Sequence, residues 1–232
     1  MKKLFFIIFL LPTLVFSQAN FEKAEKLFNQ GKYKLAKPLF ESVLVENQNH
    51  SKTLEYLGDI EGFNKSWDKG MFYYDKLKKL NPSNAEYYYK YGGCLGMKAK
   101  ESNKFTALGM IGDIKTSFEK AIQLNPNHIE ARWALIELYL QLPGIIGGSE
   151  RKAQKYANEL LNISTVDGYL AKGHIAEYFN KYKDAERFYT KAIAVSGSKM
   201  TYQKLANLYK NKMNQPEKAK ILLENYQERN KS

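Results

Sequence analysis

The stretches Leu54-Glu55-Tyr56-Leu57-Gly58 and Tyr88-Tyr89-Lys90-Tyr91-Gly92 each set an apolar side chain, a second one three residues on, and then glycine, and they stand 34 residues apart. The same offset carries Ala36 to Gly70 and Phe40 to Tyr74, so two separate helical patterns recur together. A shared period of this length requires a repeat of helix pairs, because one hairpin cannot bury its apolar face alone and must stack on the next. Small residues are expected where the two helices of a hairpin approach closely, and large apolar ones between hairpins. The chain is therefore read as an all-α stack of about six helical hairpins. Stacks of this kind present surfaces to partners and seldom perform chemistry.

With Gly58 and Gly92 as anchors, the units fall at 18–50, 51–84, 85–128, 129–165, 166–198 and 199–232. The second is the cleanest, with Leu54, Leu57 and Gly58 on its first helix, Gly70, Tyr74 and Leu77 on its second, and Asn81-Pro82 as a stop. The third is ten residues too long. Its excess is placed between its helices, as an enlarged loop from Lys98 to Gly112 that contains Gly109 and Gly112, with Asp113 capping the helix that follows. The fourth carries the segment Pro143-Gly144-Ile145-Ile146-Gly147-Gly148-Ser149 between its helices and is also enlarged. The sixth is degenerate, as an end repeat with one neighbour is expected to be. A chain of this kind grows by adding units, so one elongated domain is expected.

Residues 1–17 have a basic head, an apolar middle broken once by Pro12, and a small-residue exit at Val15 and Ser17, the pattern of a cleavable export signal. The apolar stretch is short for a membrane span, and no later segment is apolar enough to be one. Cys94 is the only cysteine and lies far from residue 17, which argues against a lipoprotein and excludes an internal disulfide. Cys94 is expected as a small buried residue. A periplasmic or secreted protein follows. Its formal charge of +12, from 36 Lys and Arg against 24 Asp and Glu, favours solubility and weak attraction to anions without indicating nucleic acid.

Across nearly the whole mature chain these residues resemble the tetratricopeptide repeat family, most closely in the second and third units. The long third unit followed by the Pro-Gly-Ile-Ile-Gly-Gly-Ser loop is similar to a group of exported bacterial repeat proteins. The resemblance implies a right-handed superhelix whose first helices line a concave groove. It places Glu25, Glu55, Asp59, Glu86, Tyr89, Glu130, Trp133, Glu137, His174 and Glu177 in that groove. Acids outnumber bases there, although the chain is basic overall.

Such a groove suits a protein or peptide segment rich in Lys or Arg, with Tyr89 and Trp133 as apolar or cation-attracting anchors. The opposing explanation is that Glu86, Glu130 and Asp167 stand at helix starts, where the helix dipole favours a carboxylate whatever binds. Gly147, Gly148 and Ser149, with Arg151 and Lys152, offer a second candidate, an anion site at a helix start. Its rival is a structural turn with Ser149 as the cap. His174 and Glu177 make no recognisable metal pattern, and no nucleophile stands beside a base at a diagnostic spacing. A non-enzymatic scaffold without cofactor is the expectation. The alternatives are a small-ligand or anion site at the enlarged loops of the third and fourth units, and an envelope-associated protein that uses its basic outer face.

Overall fold

The computed structural model describes residues 18–229, and all regular structure among them is helical. Packing divides the chain into two compact units, which adjoin in sequence at Leu124 and Asn125, rather than one. The first holds α1 (18–29), α2 (Tyr33–Glu46), α3 (Ser51–Phe63), α4 (Trp67–Leu80), α5 (Ala85–Glu101) and α6 (Lys104–Leu124). The second holds α7 (Ile129–Gln141), α8 (Glu150–Ile163), α9 (Thr165–Tyr178), α10 (Tyr182–Ser196), α11 (Lys199–Asn211) and α12 (Pro216–Arg229). Each unit is three antiparallel hairpins. The export-type segment 1–17 lies outside the described residues.

Local chemistry sets the hairpin ends. The first helices α3, α5, α7, α9 and α11 each open on a side chain that accepts a backbone N–H of the first turn, from His50, Asn84, His128, Ser164 and Ser198 respectively. His128 is buried in this role. Within the hairpins the tight turns have their own period. Left-handed backbone occurs at Gly31 and Lys65 in the first unit and at Asn180 and Asn214 in the second, each pair 34 residues apart. At the first three, the left-handed residue donates to the carbonyl three residues back and its successor donates to the one five back, which closes the end of the first helix.

The small-and-large code of the sequence is realised as glycine against ring. A methyl on Gly58 would lie 2.8 Å from the Tyr74 ring, and one on Gly173 would lie 2.4 Å from the Tyr189 ring. Both tyrosines are almost fully buried. Cys94 is buried beside Leu54, Tyr74 and Leu77, and burial pushes its thiol up to about 11. Each unit also contains a charged clamp between adjacent helices. Glu61, 2% exposed, meets Lys37 at 2.6 Å, and buried Arg132 meets Glu159 at 3.0 Å.

The third repeat departs from the sequence expectation. There is no loop from Lys98 to Gly112. α5 extends to 17 residues and α6 to 21, joined only by Ser102 and Asn103. The surplus is helix, and Asp113 lies inside α6 while Asn103 provides the cap, its side chain accepting from Thr106 N at 3.0 Å. Lys, Ala, Glu and Met dominate residues 97–111, and pairing along the longer hairpin outweighs the cost of about 1 kcal/mol for each of the two glycines. An aromatic run, Tyr87 to Tyr91, opens α5. Tyr87 is its buried member, and Tyr88, Tyr89 and Tyr91 are half-buried.

Candidate functional site: the first-helix faces

In the first unit the expected groove positions lie on α1, α3 and α5, and most of their acids are already engaged. Glu25 on α1 accepts from Tyr56 Oη on α3 at 2.6 Å. Asp59 on α3 accepts from Lys90 Nζ on α5 at 2.6 Å and also from Tyr74 Oη, so one carboxylate ties three helices. Glu55 stands 3.8 Å from Lys52 on the same helix. Glu86 and Tyr89 are half-buried, and the Tyr89 ring lies 5.9 Å from that of Phe118 on α6. The Glu25–Tyr56 and Asp59–Lys90 bonds both span 31 residues, close to the repeat period. They form a ladder from each first helix to the next. Lys90, the partner of Asp59, was passed over by sequence reasoning; its signal was a base 31 residues after an acid.

The second unit arranges the same positions differently. Trp133 on α7 donates its indole N–H to Asp167 Oδ1 on α9 at 3.1 Å, and Asp167 accepts in turn from the Ser164 hydroxyl at 2.6 Å. Trp133 is partly buried against the core that contains Leu170 and Leu205. It is thus a packing residue with its polar atom committed, and a poorer anchor for a partner than its type suggested. Glu137 on α7 stands 2.6 Å from His174 Nε2 on α9 and accepts from Gln141 at 3.0 Å. Glu177 accepts from Tyr189 Oη on α10 at 2.8 Å. Glu130 is the most open of the set, its side chain 64% exposed and 3.2 Å from His128 Nδ1. Leu140 and Leu170 on the same two helices are buried.

The partners decide the electrostatics. Asp59 is neutralised by a lysine that it shares with the next repeat. Asp167 and Glu177 instead receive bonds from an indole, a hydroxyl and a phenol, which stabilise a carboxylate without cancelling its charge. The lysine and arginine of α7 and α9 point elsewhere. Arg132 serves the clamp to Glu159, and Lys172 lies over the Phe188 ring, where burial lowers its ammonium below the ordinary value and Lys191 lowers it further. Glu130, Glu137, Asp167 and Glu177 therefore give the α7/α9 face a negative character that α3 and α5 do not share.

The loop between α7 and α8 is internally satisfied. The amides of Ile146, Gly147, Gly148 and Ser149 donate to Pro143, Gly144, Pro143 and Tyr139 carbonyls respectively, and the Ser149 hydroxyl accepts from Lys152 N at 3.2 Å. Gly147 is left-handed at φ +108°, and a methyl on Gly148 would lie 1.8 Å from the Leu142 carbonyl oxygen. The glycines are required by this fold-back. Arg151 is exposed, and Lys152 Nζ lies 5.3 Å from the centre of the Tyr139 ring. Among the described residues no three His, Cys, Asp or Glu side chains converge as metal ligands.

Residues 166–198 match the tetratricopeptide repeat family. No curated protein matches the chain in sequence. Among solved structures, a thermophilic tetratricopeptide repeat protein of Thermus thermophilus is similar with a TM-score of 0.65 at 16% identity, over 83% of this chain and 98% of that one. A tetratricopeptide repeat protein of Parabacteroides merdae gives a TM-score of 0.65 at 17% identity, over 90% of this chain and 78% of that one. YrrB, described as a tetratricopeptide repeat protein with an unusual peptide-binding site, gives 0.53 at 15% identity, over 78% and 87%. The fold of this chain is the tetratricopeptide repeat solenoid of packed helical hairpins.

Proposed function

We propose that this protein is a non-enzymatic, exported scaffold that holds a Lys- or Arg-rich protein segment against the α7/α9 face. The observation that supports this is the contrast between the two sets of first helices: Asp59 has a lysine partner, whereas Asp167 and Glu177 have only neutral donors and Glu130 stands open. Carboxylates of that kind attract a cationic chain and fix its register. The peptide-binding site described for YrrB is in keeping with a fold that receives peptides. Export rests on the head, apolar middle and exit of residues 1–17. The internal bonds of the Ile146 to Ser149 amides favour a structural role for the glycine-rich segment over the anion site.

The test is fluorescence polarisation of a labelled lysine-rich peptide, titrated with the full mature chain at low salt beside a glutamate-rich peptide of equal length. The lysine-rich peptide binds and the other does not. E130K/E137K lowers its affinity at least tenfold, while Asp59→Asn changes it less than twofold. Equal binding of the two peptides, or indifference to E130K/E137K, defeats the proposal.

A further inference from the structure

We propose that the tip of the α5/α6 hairpin is a membrane-contacting element that enters the headgroup region of an anionic lipid bilayer. Phe105 is 87% exposed in the first turn of α6, with Leu108 one turn on and Met97 near the end of α5 also exposed. Their burial in water-poor surroundings is favourable, and nothing among the described residues covers them.

The charges around this apolar tip are sorted. Glu101 is engaged by the Trp67 indole N–H at 2.7 Å, and Lys98 is paired with Asp68, both partners lying in the first turn of α4. These contacts tie the α5 side of the tip to the start of α4. The indole does not cancel the Glu101 charge, so Lys100 and Lys104, exposed at the same end, leave the tip with a net positive charge smaller than their own two. Asp113, the next acid along α6, lies about 12 Å from Phe105 along the helix axis. A tip that enters by 5–10 Å, roughly the depth of interfacial helices, would leave that carboxylate in water.

The tip also has the backbone chemistry that an interface of low water content demands. Asn103 accepts from Thr106 N through its side chain and from Ala107 N through its carbonyl, Ser102 N donates to the Ala99 carbonyl, and the Ser102 hydroxyl donates to that of Lys98. A helical partner seated along α6 would want anchors at successive i, i+3, i+4 and i+7 positions. From Phe105 that stripe runs Leu108, Gly109 and Gly112, so its large side chains end after one turn. Shallow insertion at the end of a hairpin uses only that turn, and the flanking lysines select an anionic surface, each worth about fivefold in partitioning.

The experiment is co-sedimentation of the full mature chain with vesicles of phosphatidylcholine alone and of phosphatidylcholine with 30% phosphatidylglycerol. F105W provides a depth probe at the tip. Binding to the anionic vesicles alone is expected, reduced at least tenfold by Phe105→Asp and by K100E/K104E. F105W emission should shift to the blue on binding. Because Phe105 is exposed, unchanged helicity by circular dichroism separates lost binding from lost folding. Anionic binding that ignores Phe105→Asp overturns the proposal in favour of the basic surface at large. Concentration-dependent self-association that Phe105→Asp abolishes, without vesicle binding, assigns the tip to a second copy, and no binding of any kind also refutes it.

Discussion

At the level of single residues, glycine is used for two distinct purposes, and substitution should separate them. Gly173 makes room for the Tyr189 ring, so Gly173→Ala must displace a buried aromatic and is expected to cost about 2–3 kcal/mol in urea unfolding. Gly31 has open space around it but a left-handed backbone, so Gly31→Ala should cost about 1 kcal/mol. Lys65 occupies the same turn position one repeat later with φ +57°. Lys65→Gly is therefore expected to stabilise by a few tenths to about 1 kcal/mol, with relief of left-handed strain exceeding the added freedom of the unfolded chain. The glycine and tyrosine positions were legible in the sequence because small and large residues alternate at the repeat period. The left-handed turns were not, since Gly31, Lys65, Asn180 and Asn214 have no common side-chain chemistry. Only backbone geometry unites them.

Among the elements, buried charge behaves differently from the acids on the first-helix faces. Glu61 on α3 is closed from water and answered by Lys37 on α2, which holds the Lys37 ammonium above its ordinary value. Lys37→Ala leaves an unpaired buried carboxylate and is expected to destabilise by about 3 kcal/mol, whereas K37M/E61L should restore most of that loss. Chemical denaturation of the single and double variants checks both statements. The long α5/α6 hairpin shows where sequence reasoning failed at this scale. Gly109 and Gly112 read locally as loop signals, yet their neighbours favour helix and the partner helix decides between the two. Likewise the acids of the first helices could be read from the sequence, but their donors sit about one repeat away or on the second helix. Tyr56, Lys90 and Tyr189 had to be placed in three dimensions before the charge of either face was known.

Across the whole molecule, buried phenols should limit stability in base. Tyr74, Tyr189 and Tyr56 are held above the ordinary phenol value of 10, first by burial and then by the carboxylates Asp59, Glu177 and Glu25. Below pH 10 both states keep these protons. Above it the unfolded chain releases them and the folded chain does not, so the urea midpoint should fall steadily from pH 10 upward. On the acid side Glu186 is held below its ordinary value by Lys218 and then by Tyr209. Its contribution is present above pH 4.5 and is lost as pH falls further. Similar first-helix acids thus serve two ends: a structural ladder through Asp59 and an open anionic face on α7 and α9. Hydrogen exchange of the full chain, with and without the lysine-rich peptide, tests this division of roles. Slower exchange confined to α7 and α9 is the predicted result, and slowing centred on α3 and α5, or none anywhere, would contradict the claim.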